Sequence, residues 1–252
     1  MLICKRPLIL LASPVLLSLV CIGCGDGWER TEQLQFDDPI QHIEVNTGSG
    51  EIFVVAEAER EHIEVEAVIR GYSTRLRWEL DGETLRLAHR CPPGAVVCTV
   101  DWYVWVPQQS AEYLNFDLES GSGDIAVEHT FGNIRAATGS GDLWLDDTVG
   151  FTVELEAGSG DMQLLGCEAD SIATITGSGD VEATLRGDPR HVALQTGSGD
   201  VRLTVPGDGY QLDLDTGSGD VDVHGLTHDP DGDSRISIST GSGDVAVIGK
   251  AG

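Results

Sequence analysis

At 252 residues with 40% apolar side chains, the chain can bury a core in one or two domains. Aromatic residues at 6% and 32 glycines disfavour a helical protein and favour many tight turns. With 42 acidic against 15 basic side chains, a formal net charge of -27, the chain repels phosphate backbones, so no nucleic acid is expected as a partner; metal ions, basic peptides and polyamines stay open, beside plain solubility of an exported protein.

Residues 1–23 read as an export signal. Lys5 and Arg6 precede PLILLASPVLLSLV, an apolar run too short to span a bilayer and suited to a signal core. The run ends in CIGCG, which resembles a bacterial lipoprotein signal: a cysteine after a small residue, here Cys24 after Gly23, is acylated and becomes the new N-terminus. Cys21 departs from that pattern, which usually has leucine there, and ordinary signal cleavage is the rival reading. The resemblance implies a membrane anchor through lipid, with Gly25 favouring an outer membrane over retention at an inner one, periplasmic or surface side left open. Loss of the leader removes two basic residues and no acid, leaving a net charge of -29 from 13 basic and 42 acidic side chains.

Residues 24–38 come next as a tether. From 39 to 115 strand-like segments recur with irregular spacing: HIEVEAVI from His62, RLRWEL from Arg75, TLRLAH from Thr84 and VDWYVWV from Val100. They are expected to form larger rungs continuous with the regular stack C-terminal to them, with Trp78, Trp102 and Trp105 closing the N-terminal end; an aromatic binding patch is the alternative. Cys91 and Cys98 bracket the turn-forming PPGAVV and are expected to form a disulfide in an oxidising compartment. A metal site is the rival, disfavoured because no histidine pair lies near; Cys167 is then a small buried residue.

Residues 116–250 carry a repeat. A GSG triplet followed by an acid begins at Gly48 and again at Gly121, Gly139, Gly158, Gly177, Gly197, Gly217 and Gly241, and from Gly121 the steps are 18, 19, 19, 20, 20 and 24 residues. A near-constant period of this size marks a solenoid. Apolar residues alternate before the triplet, as in Val192 and Leu194, and after it, as in Val201 and Leu203, so each repeat supplies two strands. The expected fold is all-β: a parallel β-helix with about two strands per 18–20-residue rung and its GSGD corners stacked. Trp144, between the inward Leu143 and Leu145, should point outward.

The corner is expected to need positive φ, supplied by the glycine pairs Gly121 and Gly123, Gly139 and Gly141, Gly158 and Gly160, Gly177 and Gly179, Gly197 and Gly199, Gly217 and Gly219, and Gly241 and Gly243. The residue before each pair, usually Thr, falls in phase with the inward column, where Ser120 and Ala157 show that only small size is demanded. Glu51 and then Asp124, Asp142, Asp161, Asp180, Asp200, Asp220 and Asp244 come directly after the second glycines. Stacked at about 4.8 Å, neighbouring carboxylates repel by about 1 kcal/mol even in water. Caps on turn amides would offset this, and bridging calcium along Asp142, Asp161, Asp180, Asp200 and Asp220 is the second reading. No other cofactor is expected.

The export signal, the strand ending VWVP at Val104 to Pro107 and the serial GSGD turns, each followed by an apolar-x-apolar triplet, resemble the bacterial putative-adhesin domain family of unknown function over roughly residues 40–250. The resemblance implies a parallel β-helix on an envelope protein engaged in surface attachment or in sensing envelope damage, and brings no catalytic residues with it.

No catalytic residue is assigned. The serine of GSGD is not in a GxSxG elbow, His62, His89, His191 and His224 make no HExxH set, and DPDGD at Asp229 to Asp233 has its glycine too early for an EF-hand. The expected function is a rigid acidic module for adhesion, scaffolding or protein interaction; the alternative is a sensor capturing cations or cationic peptides on acidic faces. The C-terminal rung near Val245 to Lys250 should be uncovered, which leaves end-to-end or edge dimerisation open.

Overall fold

A computed structural model describes residues 29–71, 74–108 and 114–250; the export signal and Cys24 lie outside the described residues. The described chain is all-β, with twenty strands in an open, solenoid-like stack. β1 (Glu29–Phe36) leads to β2 (His42–Thr47) and β3 (Ile52–Glu57), which flank the first glycine corner. β4 (Ile63–Arg70), β5 (Arg75–Asp81), β6 (Thr84–Arg90) and β7 (Thr99–Pro107) separate it from the second. β8 (Asn115–Ser120), β9 (Ile125–Glu128), β10 (Ile134–Thr138), β11 (Leu143–Asp146), β12 (Val149–Ala157), β13 (Met162–Thr176), β14 (Val181–Leu185), β15 (His191–Thr196) and β16 (Val201–Pro206) then run from corner to corner. The series closes with β17 (Gln211–Thr216), β18 (Val221–His224), β19 (Arg235–Thr240) and β20 (Val245–Lys250).

Strands entering a corner pair in parallel with other entering strands, in the order β6, β2, β8, β10, β12, β13, β15, β19, β17. Strands leaving a corner make the second layer, β7, β3, β9, β11, β13, β14, β16, β20, β18. β13 is long enough to serve both layers, its first half beside β14 and its second beside β15. The register sets like on like: Leu143 pairs with Met162, Met162 with Val181, and Val181 with Val201. Period-two alternation then turns one file of each strand inward, and these aliphatics are buried from Ile43 to Val247 except on β17 and β18. Trp144 is 48% exposed, on the outer file.

Both ends depart from chain order. At the start, the β6 and β7 rung lies outside the β2 and β3 rung, so the first glycine corner is internal. β4 runs antiparallel between β7 and β1, and β5 folds back on β6. These antiparallel strands close the N-terminal end over the fully buried Trp102, while Trp78 packs edge-on against Phe36 at 5.6 Å. β1 falls within the stretch expected to be a tether, and is instead a paired strand from Glu29 onward, because Leu34 and Phe36 have the β4 face on which to bury.

At the far end the last two rungs exchange places. β19 and β20 insert between β15/β16 and β17/β18. The expectation that the rung at Val245 to Lys250 is uncovered is therefore corrected: Val245 and Val247 are fully buried, and the outer rung is β17/β18, whose Val221 and Val223 are 42% and 37% exposed.

Candidate interaction surface

The corners show what their glycines do. A Cβ on Gly179 would sit 2.1 Å from the carbonyl oxygen of Gly160 in the rung beneath, and one on Gly177 would sit 2.6 Å from that of Gly158. Side chains are excluded by the closeness of the stacked backbones. Positive φ is confined to second glycines and only to those from Gly160 onward, Gly160, Gly179 (φ 142), Gly199, Gly219 and Gly243; Gly50, Gly123, Gly141 and all the first glycines have none. The expectation of positive φ at both is thus corrected, crowding being the reason at the first position.

Six of the seven corner aspartates accept a hydrogen bond from the neighbouring rung, and Asp220 on the outermost rung only donates one. The Oδ1 atoms of Asp124, Asp142, Asp161, Asp180, Asp200 and Asp244 take the backbone N–H of Asp142, Asp161, Asp180, Asp200, Asp244 and Asp220 at 2.8–2.9 Å. An N–H donor opposite each of these six carboxylates offsets the repulsion along the column. Among the described residues, His89, Cys91 and Cys98 converge as a three-ligand group, and the aspartate column gathers no such set.

Two parts of the corner were not read from the sequence. Asp101 extends the column: its Oδ1 accepts the N–H of Glu51 at 3.1 Å, and its Oδ2 pairs with Arg70, a bond that raises the Arg70 pKa further. The signal was present, since Asp101, Trp102 and Val104 repeat the acid and apolar-x-apolar order, but the disulfide loop from Cys91 to Cys98 stands where the glycines do elsewhere. The inward Thr is more than small. Thr138, Thr176, Thr196, Thr240 and Thr216 donate their hydroxyls to the second-glycine carbonyl of the neighbouring rung at 2.8–3.2 Å, and Ser120 does so to Gly50 at 3.0 Å. Ala157 interrupts this ladder.

Elsewhere, Cys91 and Cys98 are disulfide-bonded, and Cys167 is buried, its thiol pushed up by desolvation and its sulfur accepting from Thr148 at 3.2 Å. Trp105 carries Arg60 over its ring at 5.3 Å. A groove of about 690 Å³ opens beside β12, with the 66% exposed Phe151 on one wall and Glu168, Asp170 and Asp188 about it; among the described residues no basic side chain lines it.

The outer rung is the least satisfied part of the stack. Leu212 and Leu214 on β17 are only partly buried, and the outer edges of β17 and β18 have no neighbouring strand among the described residues, although the loop after β18 reaches the start of β17, where the Leu212 N–H donates to His228 Nδ1 at 3.1 Å. Asp213, Asp215, Asp220 and Asp222 stand around them. On the exposed outer face, Asp213 already pairs with Arg235 of the adjacent β19 at 2.6 Å, which shows the charge that this row takes from an adjacent strand.

Residues 40–247 match the Toastrack family, DUF4097, and the chain belongs to it. No curated protein matches. Three solved structures share the fold: a "putative adhesin" from Bacteroides fragilis (12% identity, 87% of this chain and 97% of that one, TM-score 0.53), a "Putative lipid binding protein" from Parabacteroides distasonis (14%, 90% and 98%, 0.52) and a "putative adhesin" from the same organism (13%, 90% and 98%, 0.50).

Proposed function

We propose that the chain is a non-catalytic envelope lipoprotein: a rigid acidic parallel β-helix, tethered through Cys24, that engages a protein partner at its outer rung. The carrying observation is the outer edge of β18 and of β17 beyond Leu212, which no other strand among the described residues covers, with exposed Val221 and Val223 framed by aspartates. Unpaired strand edges recruit strands, main-chain bonds supplying affinity and alternate side chains specificity. The complementary partner is an extended segment alternating aliphatic and basic residues, aliphatics meeting the inward file and basic residues the aspartates, as Arg235 meets Asp213. A second copy fits less well, because it would bring two aspartate rows together. Adhesin-named proteins of the same fold accord with an attachment role, and the export signal with an envelope location.

Titration with a synthetic Lys–Val alternating peptide at about 150 mM salt, where diffuse attraction is screened, tests the reading. Saturable one-to-one binding that Val223→Lys weakens at least tenfold is expected. Binding absent at that salt, or unchanged by Val223→Lys, contradicts it. The groove favours a second reading, a sensor for small amphipathic cations held between Phe151 and the three carboxylates. Peptide binding lost in Phe151→Ala and kept in Val223→Lys would move the site there.

A further inference from the structure

We infer that His89, Cys91 and Cys98 form a thiolate–imidazole site for a borderline-soft divalent ion of the zinc class, closed by the disulfide and opened by its reduction. One ring nitrogen of His89 and the two sulfurs lie within 4.8 Å of one another. A tetrahedral ion with bonds of about 2.3 Å to sulfur and about 2.0 Å to nitrogen holds its ligands roughly 3.5 to 3.8 Å apart, so a small contraction about the imidazole and an opening of the sulfurs suffice.

Independent features suit the site to an ion. His89 Nδ1 is buried with no hydrogen-bond partner, an orphaned acceptor or donor of a kind folded proteins rarely leave. The buried Thr74 donates its hydroxyl to Cys98 Sγ at 3.2 Å, the outer-shell bond that holds a metal-bound thiolate in place. The loop joining the cysteines buries little, Val96 being 98% exposed, so the sulfurs can separate without disturbing the core. Cys91 is itself exposed and open to a reductant. Two soft sulfurs and an imidazole exclude calcium, which takes oxygen ligands, and leave a fourth position for water or an external ligand.

The chemistry balances. A dithiol reductant passes two electrons and two protons to the Cys91–Cys98 bond, giving two thiols and the reductant's disulfide. The ion then displaces both thiol protons and binds two thiolates and the neutral imidazole. A small disulfide oxidant reverses the sequence: it takes two electrons from the two thiolates, picks up two protons to become two thiols, and the re-formed Cys91–Cys98 bond ejects the ion.

The test uses the full chain with Cys4, Cys21 and Cys24 changed to Ser, so that Cys91, Cys98 and Cys167 are the remaining thiols. Cobalt(II) is titrated as the zinc stand-in, before and after phosphine reduction, with the strand signal in circular dichroism followed throughout. The reduced chain should give one thiolate-to-cobalt charge-transfer band per molecule, displaced by one equivalent of zinc, and the oxidised chain none. His89→Gln should weaken zinc binding roughly 10- to 100-fold, and Cys167→Ser should leave the band unchanged. A reduced, folded chain with no band overturns the proposal, as does equal cobalt binding by the oxidised chain or an affinity that His89→Gln does not alter.

Discussion

Gly179 and Thr196 show how one corner is held on the next. The Gly179 Cβ position is 2.1 Å from the Gly160 oxygen, and the Thr196 hydroxyl donates to the Gly179 carbonyl at 3.0 Å. Gly179→Ala should therefore cost about 3 kcal/mol or more, since both the clash and the φ of 142 oppose a side chain; a urea midpoint close to that of the parent contradicts this. Thr196→Val keeps shape and removes the donor, with an expected loss of about 1 kcal/mol. The converse change, Ala157→Thr, should gain a similar amount by adding a donor toward Gly141, and the two midpoints should move in opposite directions. The Thr ladder was written in the sequence at Thr138, Thr176, Thr196, Thr216 and Thr240, yet Ser120 and Ala157 suggested size alone, because a hydroxyl's partner on another rung has no sequence spacing to betray it. His89 was hidden for a related reason: it precedes the cysteine loop, and no histidine pair marked it as a ligand.

At the scale of elements, the alternation around each corner made strands and inward files legible, and the register comes from it. The antiparallel cap was less so, since β4 and β5 carry the same alternation as the stacked strands and nothing local states pairing direction. The turn between β16 and β17 is fastened by Tyr210, whose hydroxyl donates to the Pro206 carbonyl at 2.6 Å; burial first, and Asp188 beside it, push its pKa up to about 12. The neutral hydroxyl is thus favoured in the folded state. Its contribution is intact below about pH 10, where an unfolded tyrosine also keeps its proton, and is lost as pH rises from about 10 toward about 12. Thermal melts across that range should show a fall that Tyr210→Phe reduces; an identical fall in the variant would assign the effect elsewhere.

For the whole molecule, near-identical rungs make a stack whose slots are almost interchangeable. A corner at 217 fits beside 197 as well as one at 241 does by local rules, so rung order is settled by the loops and by which end must face solvent, and periodicity alone cannot supply it. That order decides the functional reading, because it leaves β17/β18 outside and Val245 within. Cysteine cross-linking at the serines of the corners measures it. Ser198 and Ser242 stand on adjacent rungs, where the N–H of Gly199 reaches the Ser242 carbonyl at 2.9 Å, and the N–H of Gly243 reaches that of Ser218 at 2.9 Å. Under mild oxidation the S198C/S242C and S242C/S218C pairs should cross-link and S198C/S218C, two rungs apart, should not. Efficient bridging of S198C with S218C and none of S198C with S242C would contradict the exchanged order and the exposed edge that rests on it.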